Sequence, residues 1–145
     1  MKIQTAALVA LLAAPLCASA EPLNTTDQTQ AVCAQAATLF AAGQYDQAYQ
    51  SLVPHWPLPE EEILNLGYQT KTQLGMVASR FGPSLGAEHV ESVMAGKSLV
   101  RHTFLIKHQR HALRFACVFY KPADAWLVNF IIWDDKPQAL LDIGA

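Results

Sequence analysis

Charge is scarce in this 145-residue sequence: Asp, Glu, Lys and Arg make up 15% of it and the formal net charge is -2 at pH 7. A near-neutral chain lacks the electrostatic footprint that nucleic-acid binding requires. Its 7 glycines are scattered, so no Gly-rich phosphate loop is present, and neither is a Gly-x-Ser-x-Gly nucleophile turn. No Cys-x-x-Cys occurs, which argues against a redox catalyst. No acidic cluster offers a metal site, and no apolar run is long enough to span a bilayer. Positive charge is absent altogether from Glu21 to Glu62, where six acids stand without a Lys or Arg; from Ile63 onward there are nine bases and six acids. No cofactor is expected.

What is present begins with a leader. Met1-Lys2, an apolar run from Ala6 to Leu16 and the small-residue triplet Ala18-Ser19-Ala20 read as a cleaved secretory signal peptide over residues 1–20. Leu16 stands where a lipoprotein signal wants a small residue, so Cys17 is not expected to carry lipid. The remaining chain, 21–145, is read as a single exported domain, periplasmic or secreted, large enough for a real core. It retains two cysteines, Cys33 and Cys117. An even pair in an oxidising compartment favours a disulfide.

The chain is organised around Ser98–Asp134. Three apolar runs of about ten residues, rich in Val, Ile, Phe and Trp, are separated at His108-Gln-Arg-His111 and Lys121-Pro-Ala-Asp124. With Gln109-Arg110 as a two-residue turn, Val100, His102, Phe104 and Ile106 pair with Phe119, Cys117, Phe115 and Leu113. Pairing Lys121 with Trp126 adds Val128, Phe130 and Ile132 to the same face, which is almost wholly apolar and must be buried. The other face carries Arg101, Thr103, Lys107, Arg114, Tyr120 and Asn129 mixed with Leu99, Leu105, Val118, Leu127, Ile131 and Trp133. That is too apolar for a purely solvated surface. Gln-Arg is also poor chemistry for a two-residue turn.

Upstream, Val32, Cys33, Ala36, Leu39 and Phe40 give one apolar stripe on a helix capped at Thr26 or Asp27 and ending near Ala42. A shorter helix follows over Gln44–Leu52. Pro54–Pro59 is a stiff connector. Glu60-Glu61-Glu62 then opens a third helix with Ile63, Leu66, Leu74, Val77 and Phe81 on its apolar side, stopped by Gly82-Pro83. Ala87–Met94 reads as one more strand, and Lys136–Ala145 has no assigned form. The fold expected is α+β, with N-terminal helices packed on one face of a curved antiparallel sheet of about four strands.

Residues able to carry chemistry are few. His108 and His111 flank the proposed turn, but two nitrogens fall short of the three or four ligands that zinc takes, so no metal is expected. His102 lies on the buried face and needs a polar partner there. It is the one weak catalytic candidate, as an acid or base of a hydrolase or isomerase, and the face offers it no carboxylate except Asp134 near its end. Ser92 and Ser98 lie near His89 and His102 in sequence, without a nucleophile motif.

The stretch Phe119-Tyr120-Lys121-Pro122, then Trp126, and the ending Phe130…Trp133-Asp134 resemble the last hairpin of small exported bacterial proteins in the nuclear-transport-factor-2-like superfamily. Ala42-Gly-Gln-Tyr-Asp-Gln-Ala-Tyr49 and Gln73-Leu-Gly75 are similar to its helical part, so that the resemblance spans most of residues 27–135. It implies a cone of helices under a curved sheet, a pocket between them and dimerisation through the sheet. Enzymes of the superfamily place Asp, His or Tyr inside the cone, whereas the matching interior here is aliphatic and aromatic. The reading is therefore a non-catalytic binding or interaction module. Its partner is a second copy or another periplasmic protein, met through Leu105, Val118, Ile131 and Trp133. The alternative is a carrier of a small apolar ligand held by His102, Phe104, Phe115, Phe119 and Phe130.

Overall fold

In a computed structural model describing residues 22–76 and 78–141, four helices precede four strands. They are α1 (Thr26–Ala41), α2 (Tyr45–Gln50), α3 (Glu60–Gly75), α4 (Ala78–Phe81), β1 (Ser84–Ala95), β2 (Leu99–His108), β3 (Ala112–Tyr120) and β4 (Leu127–Asp134). The sheet is antiparallel, open and curved, in the order β1-β2-β3-β4. The fold is thus α+β as expected. Residues 1–20, read from sequence as a signal peptide, and Val77 lie outside the described residues.

Each helix starts where its local chemistry allows. Thr25, one residue before the expected cap, accepts from the Gln28 amide while Gln28 reaches back to the Thr25 amide, a reciprocal capping box. Gly43, with φ 75°, turns the chain out of α1. Three glutamates occupy the first turn of α3. The third helix ends earlier than its apolar pattern suggests, at Gly75, and α4 forms a separate turn before Gly82. Gly67 lets α3 cross α2 closely: a Cβ there would sit 3.2 Å from the Tyr49 Cβ.

The β2–β3 register is the expected one, with Val100 opposite Phe119, His102 opposite Cys117, Phe104 opposite Phe115 and Ile106 opposite Leu113. The poorly suited Gln109-Arg110 turn is held from outside. The Gln109 and Arg110 amides donate to the Pro83 and Phe81 carbonyls at 2.9 and 2.8 Å, and the Arg110 guanidinium donates to the Arg80 and Ser79 carbonyls. Tertiary contacts supply what the turn residues lack.

The β3–β4 register departs from simple alternation. Phe119 pairs with Val128, but Val118 pairs with Phe130, so Asn129 is an extra residue in β4. This bulge exchanges the two faces beyond it. Phe130, expected in the buried pocket, turns to the other side and is 56% exposed. Ile132 follows it outward. Ile131 and Trp133, expected on the outer face, turn in toward the helices, where Ile131 is buried and Trp133 packs on the core.

The core lies between α1 and the sheet. α1 covers β1, β2 and β3, while α2 bridges α1 to α3. Phe40 meets Phe115 at 4.8 Å between ring centres, and Cys33 on α1 is disulfide-bonded to Cys117 on β3, as expected. At the opposite end Leu23 and Trp126 exchange backbone hydrogen bonds, which ties the segment before α1 to the start of β4. On the outer face Pro137–Leu140 forms a 3-10 turn beside β3.

Candidate functional site

The expected pocket face is closed. His102, Phe104, Phe115 and Phe119 are each at most 4% exposed and belong to the packed interior between α1 and the sheet. His102 finds its partners by joining three elements. The Thr29 hydroxyl on α1 donates to the Thr26 carbonyl at 2.7 Å, so toward His102 Nε2, 2.8 Å away, it accepts. Nε2 therefore carries the proton and Nδ1 accepts from the Ser92 hydroxyl at 2.7 Å. Ser92 in turn accepts from His89 Nε2 at 3.0 Å. One directional chain thus runs from His89 on β1 through Ser92 and His102 to α1.

A serine 2.7 Å from a histidine nitrogen has the spacing of a nucleophile and its base. The electrostatics count against that use. Burial, and then the nearby His89, lower the His102 pKa from 6.5 to about 4. A base that weak takes a hydroxyl proton poorly at neutral pH. Ser92 and His102 also lie outside the main concavities found among the described residues. We read the chain of hydrogen bonds as the means by which a buried histidine is satisfied on both nitrogens.

The two histidines that flank the β2–β3 turn are spoken for. His108 Nδ1 donates to the Gly82 carbonyl at 3.1 Å and His111 Nε2 to the Asp135 carbonyl at 3.3 Å, with Phe81 against both rings. Among the described residues no three His, Cys, Asp or Glu side chains converge on a common metal position.

A large opening lies elsewhere. Because α1 packs mainly on β1, β2 and β3, meeting β4 through the Phe40–Trp133 ring contact, and α3 rests on α2, the helix-facing side of β4 is left as a cleft of about 940 Å³. That volume lies in the range of small-molecule sites. Its polar depth is one relay: Trp133 Nε1 donates to Thr70 Oγ1 at 3.1 Å, and Thr70 donates to the Tyr49 hydroxyl at 3.2 Å. Desolvation raises the Tyr49 pKa above 10.0, more than the Thr70 and Trp133 hydrogen bonds lower it, so the phenol stays protonated at neutral pH. Phe81, Ile131 and Leu113 add apolar wall, and Phe130 stands at the lip. Arg80, Arg110 and Lys136 bring positive charge to the rim, against Asp134 and Asp135. Asp134 is already paired with Arg114.

No family model, curated protein or solved structure matches this chain. The cleft therefore has to be read from its own residues. Of the side chains singled out from sequence as a pocket, Phe130 alone lines it; Ile131 and Trp133, expected in an interface, line it as well. Sequence reasoning missed Thr70 and Tyr49. A threonine and a tyrosine on the inward stripes of two helices were the available signal, and nothing in sequence says that they meet one tryptophan.

Proposed function

We propose that this is an exported, non-catalytic binding protein that takes a small amphipathic molecule, with an apolar body and an acidic group, into the cleft between α3 and β4. The observation that carries this reading is the cleft itself: an aromatic and aliphatic wall around the Trp133–Thr70–Tyr49 relay, with three cationic side chains at the rim. The body of a ligand would lie on Trp133 and Phe81, and its acidic group would meet Arg80 or Lys136. The weak basicity of His102 supports a binding role over a hydrolase or isomerase. The disulfide supports export, since such bonds persist in oxidising compartments. Among the described residues no helix is long and apolar enough to cross a membrane. Helices leading into a curved antiparallel sheet are also what kinship with the nuclear-transport-factor-2-like cone would give.

A native mass spectrum of the chain recovered from the exported fraction is the direct test. A reproducible extra mass, lost in Trp133→Ala and retained in Val118→Ala, is the expected result. If no mass is carried, and titration with laurate and cyclohexanecarboxylate leaves tryptophan emission unchanged, the reading fails.

A homodimer is the second reading, and one patch favours it. Val93, Leu99, Tyr120 and Phe130 are exposed on the outer face beside half-buried Val118 and Leu127. Leu105 and Val118 keep their expected places on that face, while Ile131 and Trp133 leave it. Val118→Asp together with Phe130→Asp should convert a dimer to a monomer in sedimentation; an unchanged mass rejects this contact.

A further inference from the structure

The outer face holds a second concavity of about 270 Å³. Thr103 on β2 and Arg114 on β3 form its floor, Glu91 and Arg101 one wall, and Ala139 and Leu140 of the C-terminal 3-10 turn its roof. Sequence alternation places Thr103 on a wet surface, yet it is 1% exposed. The turn that follows β4 accounts for the difference.

Among the described residues two buried side-chain polar atoms lack a hydrogen-bond partner, Thr103 Oγ1 and Arg114 Nε. Both belong to this pocket. A buried orphan donor is costly, and two on side chains that line one cavity call for a shared partner. The Arg114 side chain is held in place. Asp134 accepts from Arg114 Nη2 with one carboxylate oxygen and from the Lys136 amide, at 3.0 Å, with the other. The same carboxylate thus holds the guanidinium and launches the roofing turn.

The chemistry of the occupant follows from the donors. Thr103 and Arg114 are diagonal neighbours on one face of adjacent strands, and an N–H and an O–H donor side by side suit the two oxygens of a planar carboxylate. The Arg101 guanidinium, 2.8 Å from Glu91, adds a cation to the wall. Glu91 and Asp134 balance the two arginines, so selection rests on hydrogen-bond geometry more than on net charge. The volume and the Ala139–Leu140 roof admit only a short, partly apolar body. We propose that this pocket is a binding site for a small carboxylate, distinct from the α3–β4 cleft and independent of what that cleft binds.

Two-dimensional NMR of the mature protein, titrated with acetate and propionate and with acetamide as the uncharged isostere, tests the site. Saturable shifts centred on Thr103, Arg114 and Ala139, with acetamide ineffective, are expected. Thr103→Val keeps the side-chain shape and removes an orphan hydroxyl, so it should fold normally and bind at least about tenfold more weakly. Arg114→Lys keeps the charge but removes the Nε donor and should weaken binding similarly. The proposal is overturned if no saturable shift appears up to about 100 mM acetate. It is equally overturned if binding survives both substitutions, or if the shifts centre on Trp133 and Thr70.

Discussion

His102 shows how a residue that looks catalytic in a sequence can be structural in a fold. Its burial and its polarity are both visible from alternation along β2, and the register that sets it opposite Cys117 is equally legible. The partners are not, because Thr29 lies 73 residues away and Ser92 becomes a partner only through a bulge in β1 between His89 and Glu91. The pH dependence follows from the lowered pKa. Folding depresses the pKa of a base, so between 6.5 and about 4 the unfolded chain binds more protons than the native one. Stability is therefore full above pH 6.5 and declines as pH falls toward 4, by about 3 kcal/mol from this residue alone. Urea unfolding across that window should show the decline, and His102→Gln should flatten it; an equal slope in the variant assigns the effect to other groups. Thr29→Val, which leaves the Nε2 proton without its acceptor, should cost about 1–3 kcal/mol at pH 7, measured in the same way.

At the level of elements, the sequence is most readable where local and tertiary preferences agree. The capping box of α1, the acidic first turn of α3 and the β2–β3 hairpin all follow from residue type and period. Legibility is lost at β4, where Val128, Phe130 and Ile132 alternate as well as any strand in the chain. The apolar residues on both sides of Asn129 make either register plausible, since Phe130 or Ile131, and Ile132 or Trp133, would serve as core. Tertiary partners decide it: only Trp133 offers an indole N–H that reaches Thr70. Deleting Asn129 removes the extra residue, so that Val128, Phe130 and Ile131 pair with Phe119, Val118 and Cys117 in unbroken alternation and Trp133 keeps its inward place. We expect a folded protein in which the Trp133 indole N–H retains its hydrogen-bonded NMR signature. Loss of that signature would show that the bulge itself, and not the pairing beyond it, positions the cleft. Gly67→Val tests the α2–α3 crossing in a related way. Its branched side chain enters a gap where a Cβ already meets Tyr49 at 3.2 Å, and overpacking of this kind costs about 1–3 kcal/mol in denaturant unfolding.

On the scale of the whole molecule, one covalent link spans the two halves that charge and composition separate. The N-terminal half brings helices and acids, the C-terminal half strands and most of the bases, and their surface ion pairs contribute little. Lys71 with Asp46, for example, is largely solvent-exposed. What joins the halves is apolar packing of α1 on β2 and β3, centred on the Cys33–Cys117 bond across a sequence separation of 84. Cysteine parity and the buried position of Cys117 make this pairing readable from sequence. That the helix-facing side of β4 stays open was not readable, because it depends on how far the helices extend over that strand. Loop closure over that separation restricts the unfolded chain by about 4.5 kcal/mol of entropy. A domain of this size has about 5–15 kcal/mol in total, so reduction should remove a large share of its stability while leaving the packed interface as the remaining support. The protein, denatured without reductant and exposed to a thiol reagent, should take no label at Cys33 or Cys117; after reduction both should be labelled, and its denaturant midpoint should fall accordingly. Labelling of both cysteines before reduction would refute the bond, whereas an unlabelled protein whose midpoint is insensitive to reductant would place the stabilisation in the apolar contacts of Phe40, Phe115 and Phe119 instead.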